Sequence, residues 1–80
     1  MIVDVRPAYQ YDQGKIRGSL NIPLDQILSN AGYLKRQNKS IIICGSGSDS
    51  SQAANILKEQ GLKEVYSAGS WERLLKVLNS

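Results

Sequence analysis

Cys44 is the residue best placed for covalent chemistry in this sequence. It follows the apolar run at 41–43 and precedes the small residues at 45–48, after which helix-forming residues begin. A tight loop between a strand and a helix aims successive backbone N–H groups at one point and forms an anion-binding nest. The start of the helix adds the positive end of its dipole. Sulfur held there would be stabilised as the thiolate, the nucleophilic form of cysteine.

An inert core residue is the alternative for Cys44, because free cysteine is among the most buried residue types. Its position before a loop and a helix start favours the reactive interpretation, since this geometry makes an electropositive surrounding. Glycine at 45 and 47 lets the backbone come close to a bound group, and small serines leave room for a substrate. We therefore predict that Cys44 is catalytic and that loop amides and hydroxyls bind the substrate at Gly45, Ser46, Gly47, Ser48 and Asp49.

Other cysteine and metal chemistries fit the sequence poorly. The chain has one cysteine and no histidine, which excludes an internal disulfide and a paired-cysteine redox motif. It also argues against a zinc site and against histidine-assisted nucleophilic catalysis. A cysteine phosphatase or arsenate reductase is the nearest rival enzyme, but its loop ends in an arginine that grips oxyanions in a bidentate manner. Ser50 occupies that position here.

Composition sets further bounds. With 80 residues, 41% of them hydrophobic and 21% charged, the chain fits one globular domain over residues 1–80 rather than a disordered segment. The net charge of +3 comes from ten scattered basic residues, which slightly favours anionic small molecules and argues against nucleic acid. No apolar run approaches the roughly 20 residues that span a membrane. The N-terminus lacks the features of a secretory signal, so we expect a cytoplasmic protein, or a periplasmic one if a leader was removed.

Alternating strand and helix patterns place Cys44 at the edge of a sheet. Strands are predicted over 1–5, 19–22, 41–44 and 63–67, and helices over 8–13, from 49 or 50 to the stop at 61, and over 71–78, with a helical turn at 25–28. This alternation predicts an α/β fold with a small parallel sheet flanked by helices. Ligands of such folds bind at the carboxyl ends of the strands. Cys44 and the segment 4–6 are therefore expected at one edge.

Several smaller assignments accompany this pattern. Asp49 with Gln52 resembles a capping box at the helix start, and Gly69 and Ser70 are expected to turn the chain. We expect the aromatic or aliphatic side chains that follow to pack inward, over the sheet or under the last helix: Tyr9, Tyr11, Tyr33, Leu34 and Trp71.

Motifs along nearly the whole chain resemble those of one family, the single-domain rhodaneses or thiosulfate sulfurtransferases, and in particular their short phage-shock-type members. The family has D-V-R after a strand, then G-H-I-x-G-A-x-N-I-P, a cysteine loop, S-x-x-A-A on the next helix, L-x-x-x-G-[YF]-x-x-V, and a closing glycine and tryptophan. The matching positions are 4–6, 14–23, Cys44, 50–54, 57–65, Gly69 and Trp71.

This resemblance implies a rhodanese-like fold and a persulfide mechanism. Cys44 would take sulfane sulfur from a small anionic donor such as thiosulfate and pass it to cyanide or a thiol. Amides of residues 45–49 would hold the anionic sulfur, and no metal or organic cofactor is implied. We expect no nucleic-acid or membrane partner, and a monomer or weak dimer.

Departures from the family pattern concern charge. Active members carry Arg or Lys in the loop, whereas this loop has none and Asp49 stands near that place. If Asp49 points inward it opposes the thiolate and repels thiosulfate; if it caps the helix it turns away, and we favour the cap. Lys15 and Arg17 could add positive charge at the site, but we favour solvated surface positions. The alternative function is a weak or inactive module that carries persulfide or binds a protein.

Asp4 and Arg6 are predicted to support the site. They either offset charge near Cys44 or tie the end of the first strand to neighbouring backbone groups. We favour the structural role, because an unpaired buried carboxylate is costly.

Overall fold

Four parallel strands form one sheet in the computed structural model, which describes residues 1–80. The strands β1 (Ile2–Asp4), β2 (Leu20–Asn21), β3 (Ser40–Cys44) and β4 (Val65–Ser70) lie in the order β2-β1-β3-β4. The helices are α1 (Ala8–Gln13), α2 (Ala31–Lys35), α3 (Ser48–Glu59) and α4 (Trp71–Leu78), with short 3-10 turns at Leu24–Gln26 and Leu28–Asn30. The predicted α/β class, a small parallel sheet flanked by helices, is confirmed.

The core is centred on β3, which pairs with β1 on one side and β4 on the other. Ile42 and Ile43 are fully buried, as consecutive apolar residues on a central parallel strand require. The apolar stripe Ala53, Ala54 and Leu57 buries α3 in the same core. Small alanines let the helix backbone approach the sheet, so α3 is held firmly from its first turn onward. None of the helices combines the length and the apolar character needed to cross a membrane.

The strand register brings the carboxyl ends together at one edge. Asp4 is level with Ile43 and with Asn21, while Cys44 is level with Ser70. The side-chain amide of Asn21 donates to the carbonyl oxygens of Asp4 and Arg6, both at 2.9 Å, and so fixes the chain that leaves β1. The edge that carries Cys44 is therefore shared with the segment 4–6, as expected.

The end of β4 differs from the sequence-based expectation. Residues 69 and 70 were expected to turn the chain, but they continue the strand past a bulge, with Ile42 level with Ser67 and Ile43 level with Gly69. The turn prediction was wrong because the bulge absorbs the left-handed φ of +80° at Gly69 without ending the pairing. The Ser70 hydroxyl then accepts a hydrogen bond from the Arg73 N–H and caps α4.

The expectations for two tyrosines need correction. Tyr9 and Tyr33 are exposed rather than packed inward, because short helices on the surface leave one face to solvent. The helical turn predicted over 25–28 is present as the pair of 3-10 turns, and α2 lies in a stretch for which the sequence indicated no element. Leu34 is buried as predicted, and Tyr11 is half-buried with its hydroxyl bonded to the Ser19 carbonyl.

Burial of α3 gives a stability prediction. Leu57→Ala should destabilise the protein by about 3 kcal/mol, because a fully buried leucine is replaced by a cavity. Leu78→Ala is the matched control, since Leu78 on α4 is 55% exposed and its truncation should cost less than about 1 kcal/mol. Urea unfolding followed by circular dichroism measures both free energies. Equal losses for the two variants would contradict the placement of the core.

Candidate active site

Cys44 is the last residue of β3 and lies under the loop that leads into α3. Only 1% of the residue is exposed. Its Sγ accepts a hydrogen bond from the backbone N–H of Gly47 at 2.8 Å. Gly47 adopts a φ of +105°, and a Cβ at this position would lie 3.8 Å from the Gly69 Cα. The left-handed turn at Gly47 is what directs its N–H back at the sulfur, and it is a conformation that side chains rarely adopt.

Backbone N–H groups around Gly47 are free to bind an anion. Five of them donate to no protein acceptor, while the sixth is bonded to the sulfur. Unpaired N–H groups at a helix start carry the positive end of the dipole. The loop can therefore stabilise negative charge next to Cys44 without any charged side chain. The five residues are Gly45, Ser46, Ser48, Asp49 and Ser50.

Ser50 holds the loop in place and was not singled out as a site residue from the sequence. It is fully buried, and its Oγ donates to the Gly47 carbonyl at 2.9 Å and lies 2.8 Å from the Ser67 Oγ. The signal was available, because Ser50 precedes Ala53, Ala54 and Leu57 at helical spacing and so falls on the buried stripe. A polar residue on that stripe must find a partner inside the protein.

Asp4 and Arg6 form a buried ion pair at the end of β1. The Arg6 Nε lies 3.0 Å from Asp4 Oδ1, and the Arg6 Nη2 lies 2.8 Å from Asp4 Oδ2. The backbone N–H of Arg6 also donates to Asp4 Oδ1. Arg6 donates further to the carbonyls of Gln10 and Gly14 at 3.3 and 2.6 Å. Its guanidinium carbon lies 4.2 Å from the centre of the Trp71 ring. The pair thus ties the strand end to neighbouring backbone groups.

The ion pair also touches the cysteine loop. A Cβ placed on Gly45 would lie 4.0 Å from the Cδ of Arg6, so the aliphatic part of Arg6 packs beside the loop. Its charge is already matched by the Asp4 carboxylate. Arg6 therefore supports the loop by packing, and brings it little net positive charge.

Asp49 does not cap α3. The helix starts at Ser48 with Gly47 as its N-cap, and no side chain caps it. The proposed capping box with Gln52 is wrong because the left-handed turn at Gly47 starts the helix one residue early and places Asp49 inside the first turn. Its exposed carboxylate there still interacts favourably with the helix dipole.

Lys15 and Arg17 stay on the surface. Both are exposed, and neither hydrogen-bonds the loop. The Lys15 ammonium lies 4.8 Å from the centre of the Tyr11 ring. The structure thus brings together Cys44, the loop 45–49, Asp4 and Arg6, and adds Ser50 and Trp71 to them. Nowhere do three or more His, Cys, Asp or Glu side chains cluster as metal ligands would.

Known proteins resemble this chain in sequence and in fold. The family of rhodanese-like domains matches residues 1–76. Thiosulfate sulfurtransferase PspE of Escherichia coli is 36% identical over 69 residues, which cover 84% of this chain and 66% of that protein. YrkF of Bacillus subtilis, which carries the name of a sulfur carrier protein, is 39% identical over 64 residues, or 80% of this chain and 35% of that protein. The chain therefore spans just under two thirds of one relative and about a third of the other.

Solved structures agree with the family match. A rhodanese from Escherichia coli, solved with anions, superposes with a TM-score of 0.81 at 32% identity and covers 89% of this chain and 86% of that one. The rhodanese-like domain of an Anabaena protein superposes with a TM-score of 0.87 over 100% of this chain and 93% of that one. At 23% identity the second likeness concerns the fold.

The buried pair beside the loop gives the second prediction. Asp4→Asn should destabilise the protein by about 3–5 kcal/mol, because it leaves the Arg6 charge buried without its partner. Asp12→Asn is the control, since Asp12 is exposed on α1 and makes no ion pair, and it should change stability by less than about 0.5 kcal/mol. Urea unfolding compares the two. If both variants unfold at the wild-type midpoint, the pair does not hold the strand end.

Proposed function

This chain belongs to the family of rhodanese-like domains, and on that premise we propose that it transfers sulfane sulfur through a persulfide on Cys44. The observation that carries the proposal is the hydrogen bond from the Gly47 N–H to the Cys44 Sγ, in a loop whose other amides have no protein acceptor. A thiolate and then a persulfide anion at this place would be stabilised by the same N–H groups.

Loading of the enzyme is a displacement at sulfur. The Cys44 thiolate attacks the outer sulfur of a donor such as thiosulfate and forms a new S–S bond. The bond between the two sulfur atoms of the donor breaks, and its electron pair leaves with sulfite. Cys44 then carries one additional sulfur atom as a persulfide anion. The five free amides of residues 45, 46 and 48–50, together with the Gly47 N–H, are the donors available to that charge.

Unloading reverses the roles of the sulfur atoms. A nucleophilic acceptor, cyanide or a thiolate, attacks the outer sulfur of the persulfide. The S–S bond to Cys44 breaks, and its electron pair returns to the Cys44 thiolate, which regenerates the starting enzyme. The product is thiocyanate or a new persulfide. No oxidant or reductant is consumed, because each step is a displacement at sulfur in which one nucleophile replaces another.

The nature of the sulfur donor follows from charge. A loop without Lys or Arg must bind thiosulfate with backbone amides and serine hydroxyls, and Arg6 is already paired with Asp4. A family relative bears the name of thiosulfate sulfurtransferase and another that of sulfur carrier protein. The absence of a cation from the loop, together with the Asp49 carboxylate, favours the second candidate function, a persulfide carrier loaded by a donor less anionic than thiosulfate. Both functions use the same Cys44 persulfide.

The persulfide itself gives the third prediction. Reduced protein incubated with thiosulfate should gain the mass of one sulfur atom, and cyanide should remove it. Cys44→Ser should gain nothing, because the alkoxide needed for attack is not formed under conditions where a thiolate is. Intact-mass spectrometry measures the gain, and the circular dichroism of the variant shows that its fold is retained. A gain in the Cys44→Ser variant would overturn the assignment of Cys44.

Loading by a polysulfide, in the absence of loading by thiosulfate, would select the carrier function. Absence of loading by either donor would overturn the persulfide proposal as a whole. The same mass measurement separates these outcomes, because each donor adds sulfur to the same residue.

Asp49 gives the fourth prediction. Asp49→Arg should lower the KM for thiosulfate about 3- to 10-fold at low ionic strength, because it removes a negative charge and adds a positive one beside the loop. Asp12→Arg makes the same change of charge on α1 and should leave the KM within about twofold, since screening limits the reach of an exposed charge to roughly 10 Å. Cyanide-dependent thiocyanate formation gives both constants. A KM that is unchanged in Asp49→Arg would refute the electrostatic argument.

A further inference from the structure

A groove beside the cysteine loop has no role in the sulfur chemistry described above. It lies between one side of α3 and the segment that follows β2, and its floor includes Val5 at the end of β1. Its volume is about 690 Å³, within the range of about 300–1,000 Å³ that ligand sites occupy. The groove is open to solvent, so a polypeptide segment can enter it from the surface.

The groove leads to the cysteine loop. The residues of α3 that line the groove are Asp49, Gln52 and Ile56. They are spaced by three and four residues and so form one stripe along the helix. Asp49 follows two residues after Gly47, whose N–H is bonded to the Cys44 sulfur. On the other side, the Val5 N–H donates to the Ile43 carbonyl at 2.9 Å, next to Cys44 in the chain. A molecule lying in the groove therefore has one end beside the loop.

The floor of the groove is apolar and accessible. Leu28 is 58% exposed, although it begins the second 3-10 turn and directly follows the core residue Ile27. Leu24 and Ile56 are half-buried beside it. Grouped apolar side chains at the surface of a small domain mark sites of interaction, whereas single ones do not.

The rim of the groove is acidic in a chain that is basic overall. Asp25 and Asp49 are the charged side chains that line it, and the chain carries a net charge of +3. Both carboxylates are exposed. The ion pair of the structure joins other residues, Asp4 and Arg6, so neither rim carboxylate has a cationic partner. The groove thus complements a cation next to an apolar group.

We propose that this groove docks a polypeptide sulfur acceptor that carries its thiol beside an apolar side chain and Lys or Arg residues. The proposal rests on the persulfide function proposed above and names the acceptor for it. The two carboxylates and the apolar side chains are spread along the groove, which favours a polypeptide with several side chains over a small thiol. The eight helix residues from Asp49 to Ile56 rise by about 10 Å, and about three residues of extended chain cover that distance.

In the transfer step the acceptor thiolate attacks the outer sulfur of the Cys44 persulfide. The S–S bond to Cys44 breaks, its electron pair returns to Cys44, and the acceptor leaves as a persulfide. The acidic rim attracts the basic residues of the acceptor, and the apolar floor fixes its register.

Three synthetic peptides test the docking without sulfur chemistry. Their repeating units are Lys-Leu-Lys-Ser, Glu-Leu-Glu-Ser and Lys-Ser-Lys-Ser, so that charge and apolar character vary separately and no thiol is present. Titration of isotope-labelled protein by NMR gives both the dissociation constants and the residues whose signals shift. The cationic apolar peptide should bind about tenfold more tightly than the acidic one, as two exposed charge pairs allow, with shifts at Leu24, Leu28 and Ile56.

Variants connect this preference to the rim. In Asp25→Asn/Asp49→Asn the ratio of affinities for the cationic and acidic peptides should fall to about twofold or less, because two exposed charge pairs are lost. Asp12→Asn should keep the wild-type ratio. Equal affinities for all three peptides, shifts centred elsewhere on the surface, or an equal loss in Asp12→Asn would each overturn the docking site.

A second assay separates this proposal from the persulfide function. Cysteine replaces serine in the same peptides, and the rate at which each removes sulfur from the persulfide-loaded protein is measured by mass spectrometry. A faster rate for the cationic apolar peptide supports the acceptor proposal, and equal rates for all three peptides overturn it. If the protein never loads sulfur but binds the serine peptide as expected, the persulfide function fails while the docking groove is upheld.

Discussion

The bidentate pair between Asp4 and Arg6 connects more of this molecule than any other side-chain interaction. Arg6 binds the carbonyls of Gln10 and Gly14, stacks on Trp71 and packs beside Gly45. One arginine side chain therefore joins the end of β1 to the middle of α1, to the residue that follows α1, to the start of α4 and to the cysteine loop. Arginine suits this task because its planar fork presents several donors in fixed directions, which an ammonium group cannot reproduce.

The energetic role of that pair is specificity more than net stability. Burying two charges costs several kcal/mol per ion, so a buried pair contributes little over an apolar replacement of the same shape. Removing only one partner lowers the stability strongly, because the other charge stays buried without a partner. Every buried polar side-chain atom of this protein has a hydrogen-bond partner, and Arg6 also binds the backbone carbonyls of Gln10 and Gly14. A small domain with few buried residues thus obtains one defined position for its loop.

The sequence was sufficient to predict the sheet, the limits of α1 and α4, and the edge where Cys44 lies. Each of these follows from local patterns: the isoleucines of β3, Pro7 before α1, and Gly14 after it. What it did not predict depends on partners distant in the chain. The bulge in β4 exists only opposite Ile42 and Ile43, and the left-handed turn at Gly47 is fixed by the Ser50 hydroxyl. For the same reason the capping role given to Asp49 failed, while the tie of Arg6 to backbone groups near Asp4 was foreseeable from two charges two residues apart.

Charge acts over two distances at this edge of the sheet. The free amides of the loop stabilise an anion only when it touches them, because the effect of hydrogen-bond donors and of the half charge at a helix start does not extend beyond the first turn. Exposed carboxylates at 25 and 49 act over roughly a Debye length of 8–10 Å. A dianionic donor therefore approaches against the field of the rim before it meets the amides, whereas a basic polypeptide approaches with it. The acidic rim lies outside and the amide nest lies inside. This order of charges predicts slow loading by thiosulfate and rapid transfer to a thiol on a polypeptide that carries Lys or Arg.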